Sequence, residues 1–266
     1  MAMVMGRAQL DGMLSADALL EDVAEAHGGY RRWNAVECIE ADLCSGGFAF
    51  ASHGQRNALK HLRISVHPHS RRVVLRDFHT PGWTGLWTPQ RVQLRDERGA
   101  LFRERADPRY SFRRFVKNFA WDELDMLYFA GYALWNYLSF PFLLLSAGVD
   151  VREPMDGVAR RQRELWATFD PSIITHSATQ RFVLTRNLHL TRHDYTADVI
   201  GRWAKAANLC TASEVVDGLR FYTRRVVYPQ LGRDRHLPFP TLVWIELDNL
   251  RVQFDGAAGH RGAVAA

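Results

Sequence analysis

The chain has 266 residues, 47% of them hydrophobic and 12% aromatic, which is enough for a sizeable core and too apolar for a disordered segment. Its net charge of +5 comes almost wholly from arginines scattered among acids, with only Lys60, Lys117 and Lys205 as lysines. No helix-turn-helix, zinc finger or aromatic-basic stacking module is readable, so nucleic acid is not an expected partner.

At the N-terminus, "SADALLEDVAEAHGG" predicts a short amphipathic helix with Ser15 as N-cap, Leu19, Leu20 and Val23 on one face, and Gly28-Gly29 as the stop. The period then changes to two. Ile39, Ala41 and Leu43 alternate with Glu40 and Asp42, Leu62, Ile64 and Val66 with Arg63 and Ser65, and Val73 and Leu75 with Arg76. Strands around 83–88 and 91–95 flank a turn at Pro89, and "RDERGALF" reads as a hairpin, so the first half is a meander.

A helical block over 121–140 follows, ended by Pro141. Strands resume over 165–169, 181–185, 188–195, 219–228 and 241–247, with a helical insert over 201–208 between two of them. With no linker or repeat, the chain divides into an N-terminal helical segment, 1–29, a single curved-sheet ligand-binding domain, 30–254, and a flexible tail, 255–266. Cys38, Cys44 and Cys210 lack metal spacing, and no apolar stretch of the signal-peptide kind is readable, so a cytoplasmic location is expected.

From Met126 to Leu145 no residue is charged, a length that could cross a bilayer. Asn136, Ser139 and Pro141 interrupt the run and its tyrosines are not confined to the ends, so a buried helix against a sheet is expected and membrane contact is not favoured.

Strands, a helix and strands again, without a βα rhythm, define an α+β fold: a strongly curved antiparallel sheet with helices covering its concave face. That arrangement resembles the LolA/LolB lipoprotein-carrier fold, an unclosed β-barrel around an apolar cavity. The wording of "WDELDMLYFAGYALWNYLSFPFLL", "THSATQRFVLTRNLHLTRHDYTADVIGRWAKAA" and "DGLRFYTRRVVYP" resembles an uncharacterised bacterial family near that superfamily. The resemblance implies a cavity for a lipophilic molecule.

On a strand over 188–195, His189, Thr191, His193 and Tyr195 face one side and Leu190, Arg192 and Asp194 the other, so His193 and Asp194 form no dyad. Asp125, Asp198 and Glu123 are the acids available to orient His193. If the protein is an enzyme, His193 serves as acid or base, with Tyr195 or His176 assisting. His61, His67 and His69 share a face, but Pro68 breaks the strand and no further ligand completes a metal set. No P-loop, dinucleotide fingerprint or nucleophile elbow is present, so no cofactor is expected.

Helical spacing places Tyr128, Tyr132 and Trp135 on one stripe, with Asn136 toward another; their phenol and amide groups need partners when buried, which a ligand supplies. The expected ligand site therefore comprises Tyr128, Tyr132, Trp135, Asn136, His193 and Tyr195. Three readings stand at this point: a binder of a lipophilic or aromatic small molecule, a cofactor-independent isomerase, cyclase or hydrolase in the same cavity, and a membrane-surface protein anchored by its apolar helix.

Overall fold

A computed structural model describes residues 7–154 and 162–255; beyond Asp255, the tail expected over 255–266 lies outside the described residues. Thirteen strands form one antiparallel sheet in the order β6-β5-β4-β3-β2-β1-β13-β12-β11-β10-β9-β8-β7. Two meanders build it. β1 (Val36–Gly46), β2 (Leu62–His67), β3 (Arg72–Arg76), β4 (Thr84–Thr88), β5 (Arg91–Arg95) and β6 (Leu101–Ala106) form the first. β7 (Val149–Arg152), β8 (Arg163–Phe169), β9 (Thr179–Leu184), β10 (Leu190–Thr196), β11 (Lys205–Val216), β12 (Leu219–Pro229) and β13 (Val243–Phe254) form the second. Pairing of β1 with β13 joins the halves, while β6 and β7 remain as edges, so the barrel is unclosed.

Helices α1 (Arg7–Ala26) and α2 (Tyr30–Asn34) precede β1 and α3 (Phe48–Ser52) follows it, while the crossover from β6 to β7 carries α4 (Glu123–Leu138) onto the inner face, where it meets β2 to β6 on one side and β12 on the other. A helix can touch both halves only if the sheet curls around it. Every residue of α4 after Glu123 is buried, as a helix apolar on all sides requires. Asp122 caps it by accepting from the Asp125 amide, and Asp125 returns the bond to the Asp122 amide. Mid-helix, Gly131 lets the backbone lie against Trp87 of β4: a Cβ there would fall inside van der Waals contact with the base of the indole. Gly131→Ala is expected to lower stability by about 1–3 kcal/mol through overpacking, despite a gain of about 1 kcal/mol in helix propensity, as read by urea unfolding. An unchanged midpoint would mean that α4 sits farther from β4.

Three expectations need correction. The first helix, α1 (Arg7–Ala26), begins well before Ser15, because the Arg, Gln, Leu and Met residues ahead of it are good helix formers. The insert over 201–208 is not helical: Ala197 N–H bonds the Ala204 carbonyl to close a turn, and Lys205 opens the long strand β11. There Ala206 and Ala207 follow the ladders of β10 and β12, tertiary pairing overriding propensity. Leu190 faces inward rather than outward, because a register shift between Leu190 and Arg192 inserts an extra residue into β10.

Candidate functional site

Below that shift the expected alternation holds. His193 and Tyr195 point at α4, while Arg192 and Asp194 point away and bind one another, Arg192 Nε to Asp194 Oδ1 at 2.6 Å. Asp194 also accepts from Arg181, whose fork grips Glu164 at 2.9 and 2.7 Å. This ion-paired outer face lines an open groove of about 820 Å³ with Trp166, Lys205 and Gln230. The inner face has a different chemistry.

There α4 and the sheet enclose a chain of neutral polar groups. The Tyr132 and Tyr137 hydroxyls meet His176 Nδ1 and Nε2 at 3.1 and 2.8 Å, and the Tyr137 hydroxyl also meets that of Tyr195 at 2.9 Å. The His176 ring stacks on Tyr195 with centroids 3.9 Å apart. His193 Nε2 meets Gln180 Oε1 at 2.6 Å, and its ring stacks on Phe182. Burial, with the charges of Arg109 and Arg225, pushes His176 down to about 3. Burial first, then His176 and Arg225, holds His193 well below the usual imidazole range. Both rings are therefore neutral at pH 7, and Tyr137 is pushed up to about 12 by burial.

The acids expected near His193 are engaged elsewhere. Asp125 is fully buried with Lys117, Ser111 and Arg105, and Glu123 pairs with Arg103. Asp198 feels chiefly its own burial and then Arg109. Gln180, which holds no charge, takes the place of an orienting carboxylate. Of the histidines that share a face in the sequence, His67 meets Arg72 and His69 meets the Trp33 carbonyl.

The expected ligand stripe divides. Tyr128 and Tyr132 contact each other and face Arg109 and His176, and Asn136 donates to the Tyr132 and Ile174 carbonyls. Trp135 instead turns to the other half of the sheet, where its Nε1 donates to the Pro68 carbonyl. The sheet curls around the helix, so residues of one stripe, such as Tyr132 and Trp135, meet different walls. The apolar helix is not itself a surface: it is buried, and the exposed aromatics lie elsewhere, among them Tyr110, Phe115 and Phe119 just before it, Trp203 and Phe239.

The ligand site expected from the sequence left out Tyr137, Asn208 and Arg225, which complete the cluster. Arg225 is 2% exposed, its guanidinium 4.5 Å from the Tyr137 ring centroid and 5.6 Å from that of Tyr222. Two small voids meet at Tyr137. One, of about 30 Å³, is walled by Leu43, Phe50, Leu59, Leu134 and Ile245; the other, of about 10 Å³, adjoins Phe140, Gln180, His193 and Arg225. The smaller has room for one water, and neither approaches the few hundred Å³ of a ligand pocket. With α4 in place, the expected cavity between helix and sheet is filled by side chains.

No protein-family model matches the chain, and neither does any curated protein. Solved structures similar to it include a DUF1329 family protein from Desulfovibrio piger ATCC 29098, at 12% identity over 89% of this chain and 92% of that one, with a TM-score of 0.49. A LolA superfamily protein from Nitrosomonas europaea is similar at 9% identity over 90% and 93%, with a TM-score of 0.48. The lipoprotein LppX of Mycobacterium tuberculosis follows at 8% identity over 90% and 99%, with a TM-score of 0.27. The sheet order, with β6 and β7 as its edges among the described residues, agrees with the unclosed antiparallel sheet that the arrangement of elements led us to expect. Among the described residues, no helix is long and apolar enough to cross a membrane.

Proposed function

We propose that the protein binds a lipophilic small molecule on the inner face of its sheet, with α4 as a plug that yields to it. The observation that carries this reading is the pair of voids meeting at Tyr137, one almost wholly apolar and one of mixed lining that reaches Gln180, His193 and Arg225. A side chain that parts an apolar space from one with polar groups at its end occupies the line an amphipathic ligand would follow. Moving Tyr137 joins the two spaces, and the unpaired edges β6 and β7 leave the sheet free to open around a shifted helix. The free thiols Cys38, Cys44 and Cys210 suit a reducing compartment, and we place its action in the cytoplasm on that ground.

The test uses the apolar dye N-phenyl-1-naphthylamine, followed by fluorescence. Ala133→Phe fills the aliphatic void and is expected to weaken dye binding about tenfold, equivalent to about 1.4 kcal/mol, while Tyr137→Ala strengthens it. Failure of the wild type to bind the dye, or equal affinities in all three proteins, would overturn the proposal.

A further inference from the structure

Arg225 poses a problem that the rest of the core does not. A guanidinium stays protonated at any pH the fold survives, and burying it without an anion is costly. Other buried cations of this protein are matched: Arg181 holds Glu164 and Asp194, and Lys117 holds Asp122 and Asp125. Arg225 pairs with no carboxylate among the described residues; its one hydrogen bond runs from Nη1 to Cys210 Sγ at 3.2 Å, and Nε has no acceptor. The two tyrosine faces offset part of the cost but accept no hydrogen bonds in the plane of the fork.

Asn208 lies in the same corner. It is opposite Val227 in the ladder and Arg225 is opposite Cys210, so the two side chains are diagonal neighbours on β11 and β12. Asn208 is fully buried, and neither its amide nitrogen nor its oxygen has a partner within hydrogen-bond distance, although it lies close enough to the Tyr137 phenol to favour its ionised form weakly. Across the next ladder it is opposite His193, and the smaller void borders both His193 and Arg225. A buried guanidinium with an unused Nε donor thus borders one space, with Asn208 as its diagonal neighbour on the sheet and aliphatic walls beyond Tyr137.

We propose that Arg225 and Asn208 form the seat for the anionic end of the ligand, which makes that ligand an apolar carboxylic acid. The carboxylate accepts from Arg225 Nε and the Asn208 amide, and its hydrocarbon lies past Tyr137 among Leu43, Leu134 and Ile245. This rests on the lipophilic-ligand reading and narrows it to acids. Neutral molecules of the same length leave the guanidinium uncompensated and bind less well.

The experiment compares oleate with oleyl alcohol as competitors for the bound dye. Wild type is expected to prefer oleate, and Arg225→Met to lose about 10- to 100-fold in oleate affinity, the worth of a charge-assisted pair, with the alcohol unaffected. Asn208→Asp gives an answer even where Arg225→Met fails to fold, because it places a carboxylate of nearly the same shape beside the guanidinium. It is expected to raise Tm and abolish the preference for oleate. Equal competition by acid and alcohol, or a lower Tm in Asn208→Asp with oleate binding intact, overturns the anion seat and leaves the lipophilic reading standing. Binding of neither overturns both. Stabilisation by acetate without binding of oleate assigns the seat to a free small anion and overturns the carboxylic-acid ligand.

Discussion

Acid is expected to unfold this protein steeply between about pH 6.5 and 4, well above the range in which carboxylates drive acid unfolding. Three deeply buried imidazoles carry most of the effect, and the part-exposed His67 and His189, also lowered by burial, act in the same direction. His176 is pushed down to about 3 and His27 to about 4, chiefly by burial, and His193 lies well below its ordinary value. In the unfolded chain each takes a proton near pH 6.5, whereas in the folded chain each stays neutral to lower pH, so between those values the unfolded state binds more protons. Their contribution to stability is complete above about pH 6.5 and is lost as pH falls toward the folded values. Each group adds a slope of at most about 1.4 kcal/mol per pH unit, so three together give up to about 4, and two units remove up to about 8 kcal/mol, comparable with the 5–15 kcal/mol of an ordinary domain.

Carboxylates modify this only at the lower end. Asp194 and Asp198 are raised, first by burial, and take protons earlier in the folded state, which offsets part of the loss, while Glu164, held at about 2, adds to the loss as pH falls below its ordinary value. Thermal unfolding from pH 7.5 to 4.5 measures the slope. A Tm that changes by no more than a few degrees from pH 6.5 to 5 would show that the three rings are protonated or open to water in the folded state. In His176→Gln the slope should fall by about a third, since one of three groups is gone.

The sequence shows the strand periods because one sheet face is buried: Ile39, Ala41 and Leu43 are buried at alternate positions of β1, as period two requires. It also shows that α4 is covered all round, since an uncharged run interrupted by Asn136, Ser139 and Pro141 has nowhere to lie except against a sheet. The extra residue in β10 leaves no trace in the residue pattern, which is why Leu190 could not be assigned to its face.

Arg225 was in principle readable, for along β12 it shares parity with Phe221, Thr223 and Val227, all buried, while Arg224 is exposed. An arginine at an apolar position of a strand is an anomaly worth following. Asn208 was hidden by the helical reading of 201–208, because parity has no meaning on a helix. The turn that exposes that error, Asp217-Gly218, with φ of 50° and 78° between the paired Val216 and Leu219, is a two-residue hairpin signal that fixes β11 as a strand. Pairing across β10, β11 and β12 then follows.

Arg181→Met is expected to destabilise the fold by about 3–5 kcal/mol, the largest loss of any single outer-face substitution, because it leaves two buried carboxylates without their shared cation. Arg181 is 3% exposed and binds Glu164 in two places, Asp194 Oδ2 at 3.0 Å and Asp234 Oδ1 at 2.6 Å. Glu164 would rise toward protonation if buried alone, yet hydrogen bonds from Arg181 and Arg233 hold it at about 2. Remove Arg181 and Glu164 keeps Arg233 while Asp194 keeps Arg192, so the damage is a deficit of one charge rather than a collapse of the cluster. That deficit can be repaired. Glu164→Gln in the Arg181→Met background removes the surplus negative charge and is expected to recover at least about 1 kcal/mol, although the same change in the wild type is destabilising. Opposite signs for one substitution in two backgrounds are what a shared buried charge produces and additive packing losses do not. Urea unfolding of the four proteins gives the cycle directly; additive effects within about 0.5 kcal/mol would show that Arg181 acts through packing of its stem and that the outer-face ion pairs contribute little.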